Sequence, residues 1–146
     1  VADIHQLYQL TKKQYPALPY FLLGHSMGSF LVRTYLILYP GGLEGVLLSG
    51  TGQMPAPLIQ AGYWVACRMK RHLGATGRSK ALDKLCFGAY NKRFAPNRTA
   101  SDWLSRDEAV VDSFIQDPMC GGIPTASLFC EMLGGLAYIG NPAHLA

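Results

Sequence analysis

The apolar residues in the first third of the chain fall into short patterns that alternate between helix and strand spacing. Residues 1–15 carry apolar side chains at roughly helical spacing, which predicts an amphipathic helix. Residues 20–23 and 43–49 are short, almost continuous apolar runs, which are typical of strands buried on both faces. A helical pattern over 29–39 separates the two strands and ends at Pro40. Strand, helix and strand within about thirty residues predict a βαβ unit and a parallel sheet.

The remainder of the chain shows no further strand pattern and is predicted to be helical. Four helices are predicted, over residues 56–72, 79–94, 105–116 and 125–139. Ser105 would cap the third of them, with Glu108 completing a capping box. A helical insertion after a sheet strand is typical of a cap or lid. We therefore predict a partial sheet domain over 1–53, a helical cap over 54–138 and a return toward the sheet over 139–146.

The junction between the first strand and the following helix carries the one motif that indicates catalysis. Gly24, His25, Ser26, Met27 and Gly28 match the pattern G-x-S-x-G. Such a turn lifts the serine hydroxyl above the sheet, and we expect a side chain at either glycine to collide with the turn. Ser26 is therefore the candidate nucleophile, and the Met27 N–H is the candidate donor to an oxyanion. The alternative is a plain strand-to-helix turn in which Ser26 is only a cap.

Three stretches of the chain are similar to a known family. Residues 21–30, FLLGHSMGSF, resemble the nucleophile elbow of the α/β-hydrolases, in the branch of lysophospholipases, monoacylglycerol lipases and serine aminopeptidase-like hydrolases. Residues 98–107 (RTASDWLSRD) and 117–121 (DPMCG) resemble the cap region of bacterial lysophospholipases. The resemblance implies an α/β fold with a helical cap. It also implies ester hydrolysis on a lipid-like acyl group through an acyl-enzyme, with no metal or other cofactor.

A serine nucleophile needs a base and an acid, which in this fold follow it on later strands in the order Ser, Asp or Glu, His. Because no strand pattern follows residue 49, we expect the triad acid and histidine to lie outside this chain. The chain, which begins at Val1 and ends at Ala146, is then expected to be part of a longer protein and to be inactive alone.

The ionisable residues that are present are weaker candidates for the missing roles. His25 adjoins Ser26 but should point away from its hydroxyl, while the other histidines, His5, His72 and His144, are expected to be structural. Asp102 is expected to cap a turn, and Arg106 and Asp107 are expected to form ion pairs.

The formal net charge of +4 is unevenly distributed along the chain. Residues 68–98 carry nine basic side chains against Asp83, whereas residues 102–131 carry six acidic side chains against Arg106. The two segments could attract each other within the fold. Alternatively, the basic segment could make transient contact with an anionic membrane surface. Nucleic acid is not an expected partner, because no stacking-aromatic or zinc-finger pattern accompanies the charge.

The composition is that of a globular protein, with 49% hydrophobic and 15% charged residues, which excludes intrinsic disorder. The four cysteines, Cys67, Cys86, Cys120 and Cys130, have no spacing typical of a zinc site. We expect free thiols in a reducing compartment and therefore a cytoplasmic location. The longest uncharged stretch, 45–67, contains too many glycine, proline and glutamine residues for a membrane span.

Three functions remain open from the sequence. The leading one is hydrolysis of a small-molecule lipid ester, either a lysophospholipid or a monoacylglycerol, through Ser26. The second is a proline-type aminopeptidase of the same fold. The third is a non-catalytic remnant or binding module that lacks the triad acid and histidine.

Overall fold

The computed structural model describes residues 1–144 of the chain. Its regular elements are α1 (Ala2–Gln14), β1 (Phe21–His25), α2 (Met27–Leu38), β2 (Gly45–Ser49), α3 (Ala56–Leu73), α4 (Lys80–Phe87), α5 (Glu108–Gln116) and α6 (Ala126–Ile139). Residues 1–64 and 131–144 form one compact unit, and residues 65–130 form a second. The last two residues of the return segment predicted over 139–146 lie outside the described part. Within that part, no helix combines the length and hydropathy needed to cross a bilayer.

The first unit contains the predicted βαβ arrangement. β1 and β2 are parallel, with Phe21 opposite Gly45 and His25 opposite Ser49, and α2 is the crossover that packs against them. The expectation that both strands are buried on both faces is wrong for these residues, since Leu23 is 67% exposed. A two-stranded sheet with one helix packed closely on it leaves such side chains uncovered, whereas the pattern is that of strands inside a larger parallel sheet.

An aromatic cluster fixes α1 to α2 within the same unit. His5 Nδ1 and the hydroxyl of Tyr35 share a hydrogen bond of 3.0 Å, and the His5 ring stacks on Tyr39 at 3.9 Å. Tyr8 donates its hydroxyl proton to the carbonyl oxygen of Gly42, in the loop before β2. Tyr35 is fully buried at the centre of this cluster. Contacts between residues about thirty positions apart therefore hold both helices beside the sheet.

The two glycines of the turn between β1 and α2 have different environments. A Cβ atom built on Gly24 would lie 2.5 Å from the carbonyl oxygen of Gly28 and 2.8 Å from Cα of Ser29. A Cβ atom on Gly28 would meet no described atom within 4 Å. The expected collision is therefore present at Gly24, where the end of β1 passes against the first turn of α2. The same expectation is wrong for Gly28, because a side chain at this position would project into open space.

The second unit is helical, but two of its predicted boundaries are wrong. The helix predicted over 79–94 ends at Phe87 as α4, and a 3₁₀ segment follows over Tyr90–Phe94. The cap of α5 is Asp107, whose carboxylate accepts the N–H of Ala109. Ser105 instead accepts the N–H of Asp107, so the predicted capping box does not form. Aspartate is as good an N-cap residue as serine, and the Asp107 carboxylate lies close to the first N–H groups of the helix.

A disulfide joins two cysteines of the second unit. Cys67 in α3 is bonded to Cys130 in α6, across a sequence separation of 63 residues, whereas Cys86 and Cys120 are free. The expectation of four free thiols is therefore wrong for Cys67 and Cys130. Sequence spacing could not reveal this pair, because the contact is made by two helices that are distant along the chain.

The glycine geometry predicts unequal effects of two matched substitutions. Gly24→Ala should lower the free energy of unfolding by about 1–3 kcal/mol, because its new methyl group must displace backbone atoms of α2. Gly28→Ala should change it by no more than about 1 kcal/mol, since the methyl group enters open space and alanine favours the helix. Denaturant unfolding of the two variants measures the difference. An equal loss at both positions would contradict this account of the turn.

The disulfide predicts a large loss of stability on reduction. Opening a loop with a separation of 63 residues should lower the free energy of unfolding by about 4 kcal/mol, through the regained entropy of the unfolded chain. Denaturant unfolding of the oxidised and reduced protein measures this loss. Cys86→Ala is the matched control, because it removes a free thiol and keeps the disulfide. Alkylation of Cys67 and Cys130 without prior reduction would show that the bond is not formed.

Candidate active site

Ser26 occupies an unusual backbone conformation directly after β1. Its φ is 51° and its ψ is −119°, and among the described non-glycine residues it alone has a positive φ. Its N–H donates to the carbonyl oxygen of Ser49, at the end of β2, over 2.9 Å. The residue is exposed to solvent. A strained and exposed serine at this position is the arrangement expected of a nucleophile elbow.

Ser29 supports this turn from inside the protein. Its hydroxyl donates to the carbonyl oxygen of Ser26 at 2.5 Å, and its backbone N–H donates to the same atom at 2.9 Å. The Ser29 side chain is completely buried, so its hydroxyl depends on this bond. Sequence reasoning missed this residue. The signal available was a polar residue between Gly28 and Phe30 at the start of an apolar helix.

The His25 ring contacts the neighbouring strand. Its Nδ1 atom and the Ser49 hydroxyl share a hydrogen bond of 3.1 Å. The ring also lies against Gly50, where a Cβ atom would be 3.3 Å from the ring atom Cε1. The described hydrogen bond of this ring is thus made to Ser49 of β2 and not to Ser26. This contact fits the expectation that His25 has a structural role.

The start of α2 supplies backbone donors next to Ser26. The helix begins at Met27, so the first N–H groups have no acceptor within the helix itself. Such groups carry partial positive charge and can stabilise a developing negative charge nearby. The Met27 N–H remains the predicted oxyanion donor on this ground.

The other histidines have structural surroundings. His5 belongs to the aromatic cluster under α2, and His144 donates from Nδ1 to the carbonyl oxygen of Tyr138 while stacking on its ring. His72 lies exposed in the last turn of α3. In the part of the chain with described coordinates, no histidine is hydrogen-bonded to the Ser26 hydroxyl.

Asp102 is engaged in a local turn. Its carboxylate accepts hydrogen bonds from the backbone N–H groups of Arg98 and Thr99, and from the Thr99 hydroxyl. The hydrogen bonds from Thr99 lower the pKa of this carboxyl from its ordinary value, because they stabilise the ionised form. All three described donors are local, which agrees with the turn-capping role expected from the sequence.

The ion pairs differ from those expected for Arg106 and Asp107. Arg98 contacts Asp112 at 2.7 Å and Glu108 at 3.8 Å. Asp107 serves as the cap of α5 instead. One residue of the basic segment therefore does pair with the acidic segment, through side chains that are partly exposed.

A cavity of about 430 Å³ lies in the first unit. Its walls come from Arg33 of α2, the loop 52–55, the first turns of α3 and the last turns of α6 together with Gly140, Asn141 and Pro142. The Arg33 guanidinium donates to the carbonyl oxygen of Gly52 at its edge. Ser26 is not among the residues that line this cavity.

The chain is similar in sequence to a known family and to two lipases. The family model described as serine aminopeptidase, S33, matches residues 1–146. The monoacylglycerol lipase of Mycolicibacterium smegmatis is 31% identical over 119 residues, which cover 82% of this chain and 36% of that lipase. Human monoglyceride lipase is 32% identical over 119 residues, covering 82% of this chain and 34% of that protein. The chain thus spans about a third of the length of both lipases.

A solved structure supports the same fold. The thermostable carboxyl esterase of Bacillus coagulans, in complex with glycerol, superposes with a TM-score of 0.81 at 27% identity. The superposition covers 94% of this chain and 45% of the esterase chain. The predicted fold class and the predicted family branch are therefore confirmed. With the elbow at Ser26 and a family model that matches its whole length, the chain belongs to the serine aminopeptidase S33 family of α/β-hydrolases.

Proposed function

We propose that the complete protein hydrolyses carboxylic esters of lipid-like acyl groups, with a monoacylglycerol or a lysophospholipid as the substrate. The observation that carries this proposal is the conformation of Ser26, which is exposed, has a positive φ and stands between a parallel strand and a helix start. The similarity to two lipases and to an esterase supports an ester substrate rather than another hydrolysable bond.

The proposed reaction proceeds in two steps. Ser26 Oγ attacks the acyl carbonyl carbon as its proton passes to a general base, and the carbonyl oxygen becomes an oxyanion near the Met27 N–H. The bond between the carbonyl carbon and the alcohol oxygen then breaks, and the alcohol leaves with the proton from the base. Water next attacks the acyl-serine ester with help from the same base. The fatty acid is released and the Ser26 hydroxyl is restored.

The base and the acid that orients it are proposed to come from outside the described residues. The contacts of His5, His25 and His144 are made to Tyr35, Ser49 and Tyr138, which supports a base from elsewhere in the complete protein. The lipases are nearly three times as long as their match with this chain, so they contain room for these groups. The chain alone is therefore expected to be inactive.

A transient contact with a membrane surface is a further part of the proposal. In the second unit, the basic side chains of Arg71, Lys80 and Lys84 are exposed, and Leu85, which follows Lys84 in the sequence, is 66% exposed. Basic and apolar side chains together favour an anionic lipid surface.

The expectation of a cytoplasmic location rested on free thiols, and the bond between Cys67 and Cys130 removes that basis.

Replacement of the nucleophile tests the central proposal. Ser26→Ala in the complete protein should lower the hydrolysis of a monoacylglycerol and of a lysophosphatidylcholine by at least about a thousandfold, because no acyl-serine can form. Fatty acid release measures the rate, and Ser113→Ala, an exposed serine of α5, is the matched control.

Three outcomes would overturn the proposal. Full activity of Ser26→Ala would show that another nucleophile acts. Turnover of a proline arylamide, with no turnover of either ester, would favour the aminopeptidase alternative. A complete wild-type protein that neither hydrolyses these substrates nor reacts with a fluorophosphonate would favour a binding module.

The membrane contact predicts a selective effect of charge. Lys84→Gln should weaken binding to vesicles that contain phosphatidylserine by about fivefold, since one basic residue near such a surface contributes about 1 kcal/mol. Lys13→Gln, an exposed lysine in α1, is the matched control and should have no effect. Cosedimentation at low and high salt measures both. Equal weakening by the two substitutions would reject a docking role for the basic segment.

A further inference from the structure

His25 and Ser49 form a polar contact at the carboxyl ends of the two strands. They are the last paired residues of the parallel register, and a hydrogen bond of 3.1 Å joins the ring to the hydroxyl. The ring is further restricted by Gly50, whose positive φ of 57° turns the chain directly beside it. A side chain at position 50 would crowd the ring, so the chain leaves space for His25 at this point.

The same residue, Ser49, also holds the nucleophile. Its carbonyl oxygen accepts the N–H of Ser26 at 2.9 Å, while its hydroxyl bonds to the side chain that precedes Ser26. Two consecutive residues of the elbow are thus attached to one residue of β2, one through the backbone and one through a side chain. A strained φ persists only where its surroundings hold it, and these two bonds act on the amino side of Ser26.

We infer that His25 is a positioning residue, which acts through Ser49 to hold the Ser26 peptide in its reactive orientation. This inference rests on the proposed function of Ser26. Its physical basis is a division of the support: Ser29 fixes the carbonyl side of Ser26, and the bond between His25 and Ser49 fixes the amino side. Both His25 and Ser49 are exposed to solvent, so the hydrogen bond between them contributes little to the stability of the fold. Its loss should therefore affect orientation more than stability.

The test uses matched substitutions in the complete protein. His25→Phe keeps a ring against Gly50 but has no nitrogen, and Ser49→Ala removes the hydroxyl. His25→Asn and Ser49→Thr are the conservative variants, since each can still form the hydrogen bond. The measurements are kcat and KM for a monoacylglycerol, the burst rate of p-nitrophenol release from a p-nitrophenyl ester, and Tm.

The expected result is a loss in the acylation step with unchanged binding. His25→Phe and Ser49→Ala should each lower kcat and the burst rate by about threefold to tenfold, the value of one hydrogen bond, with KM unchanged. The double variant should lose no more than either single variant, because both remove the same bond. The conservative variants should recover most of the rate.

Several results would overturn the inference. Wild-type rates in His25→Phe and Ser49→Ala, with or without a lower Tm, would show that the bond does not position Ser26. Losses that multiply in the double variant would show that the two residues act independently. A loss of about a thousandfold in His25→Phe with a wild-type rate in Ser49→Ala would make His25 a catalytic base. Ser26→Ala separates the two proposals, because its full activity would defeat the proposed function itself.

Discussion

The whole candidate site depends on the close approach of β1 to the first turn of α2. Gly24 is buried where the end of β1 passes so close to the backbone of α2 that no side chain would fit between them. The chain must therefore turn sharply at Ser26 before the helix begins. The strain of its positive φ is balanced by hydrogen bonds on both sides, from Ser26 to Ser49 and from Ser29 to Ser26. The exposure of Ser26 to solvent thus accompanies this backbone geometry.

The parallel pairing of β1 and β2 fixes the position of the backbone at this turn. β2 places Ser49 opposite His25, and the register leaves the Ser49 carbonyl oxygen in line with the N–H of Ser26. The aromatic cluster around Tyr35 holds α2 from its other end, where the helix returns toward β2. Helix and strand are therefore both anchored, and the residue between them has little freedom to relax into an ordinary conformation.

The second unit follows a different principle, since local polar contacts and one covalent bond organise it. Asp102 closes a turn by accepting the N–H of Thr99, Arg98 pairs with Asp112, and the disulfide links Cys67 to Cys130. Its basic side chains are concentrated in residues 68–98, and the same segment contains exposed apolar side chains such as Leu85 and Tyr90. The proposed lipid contact rests on this second unit, whereas the proposed nucleophile, Ser26, lies in the first unit.

The sequence alone determined the βαβ unit, the elbow and Ser26, because short apolar runs and a spaced glycine motif report local geometry that every such fold shares. It also located most helices, since their apolar periodicity is a local property. Only the tertiary structure decided the hydrogen bonds of Ser29 and Ser49, the open space beside Gly28, the pairing of Cys67 with Cys130, and the exposure of Leu23. Each of these depends on which distant residues meet in space, and neither hydrophobic period nor residue spacing encodes that.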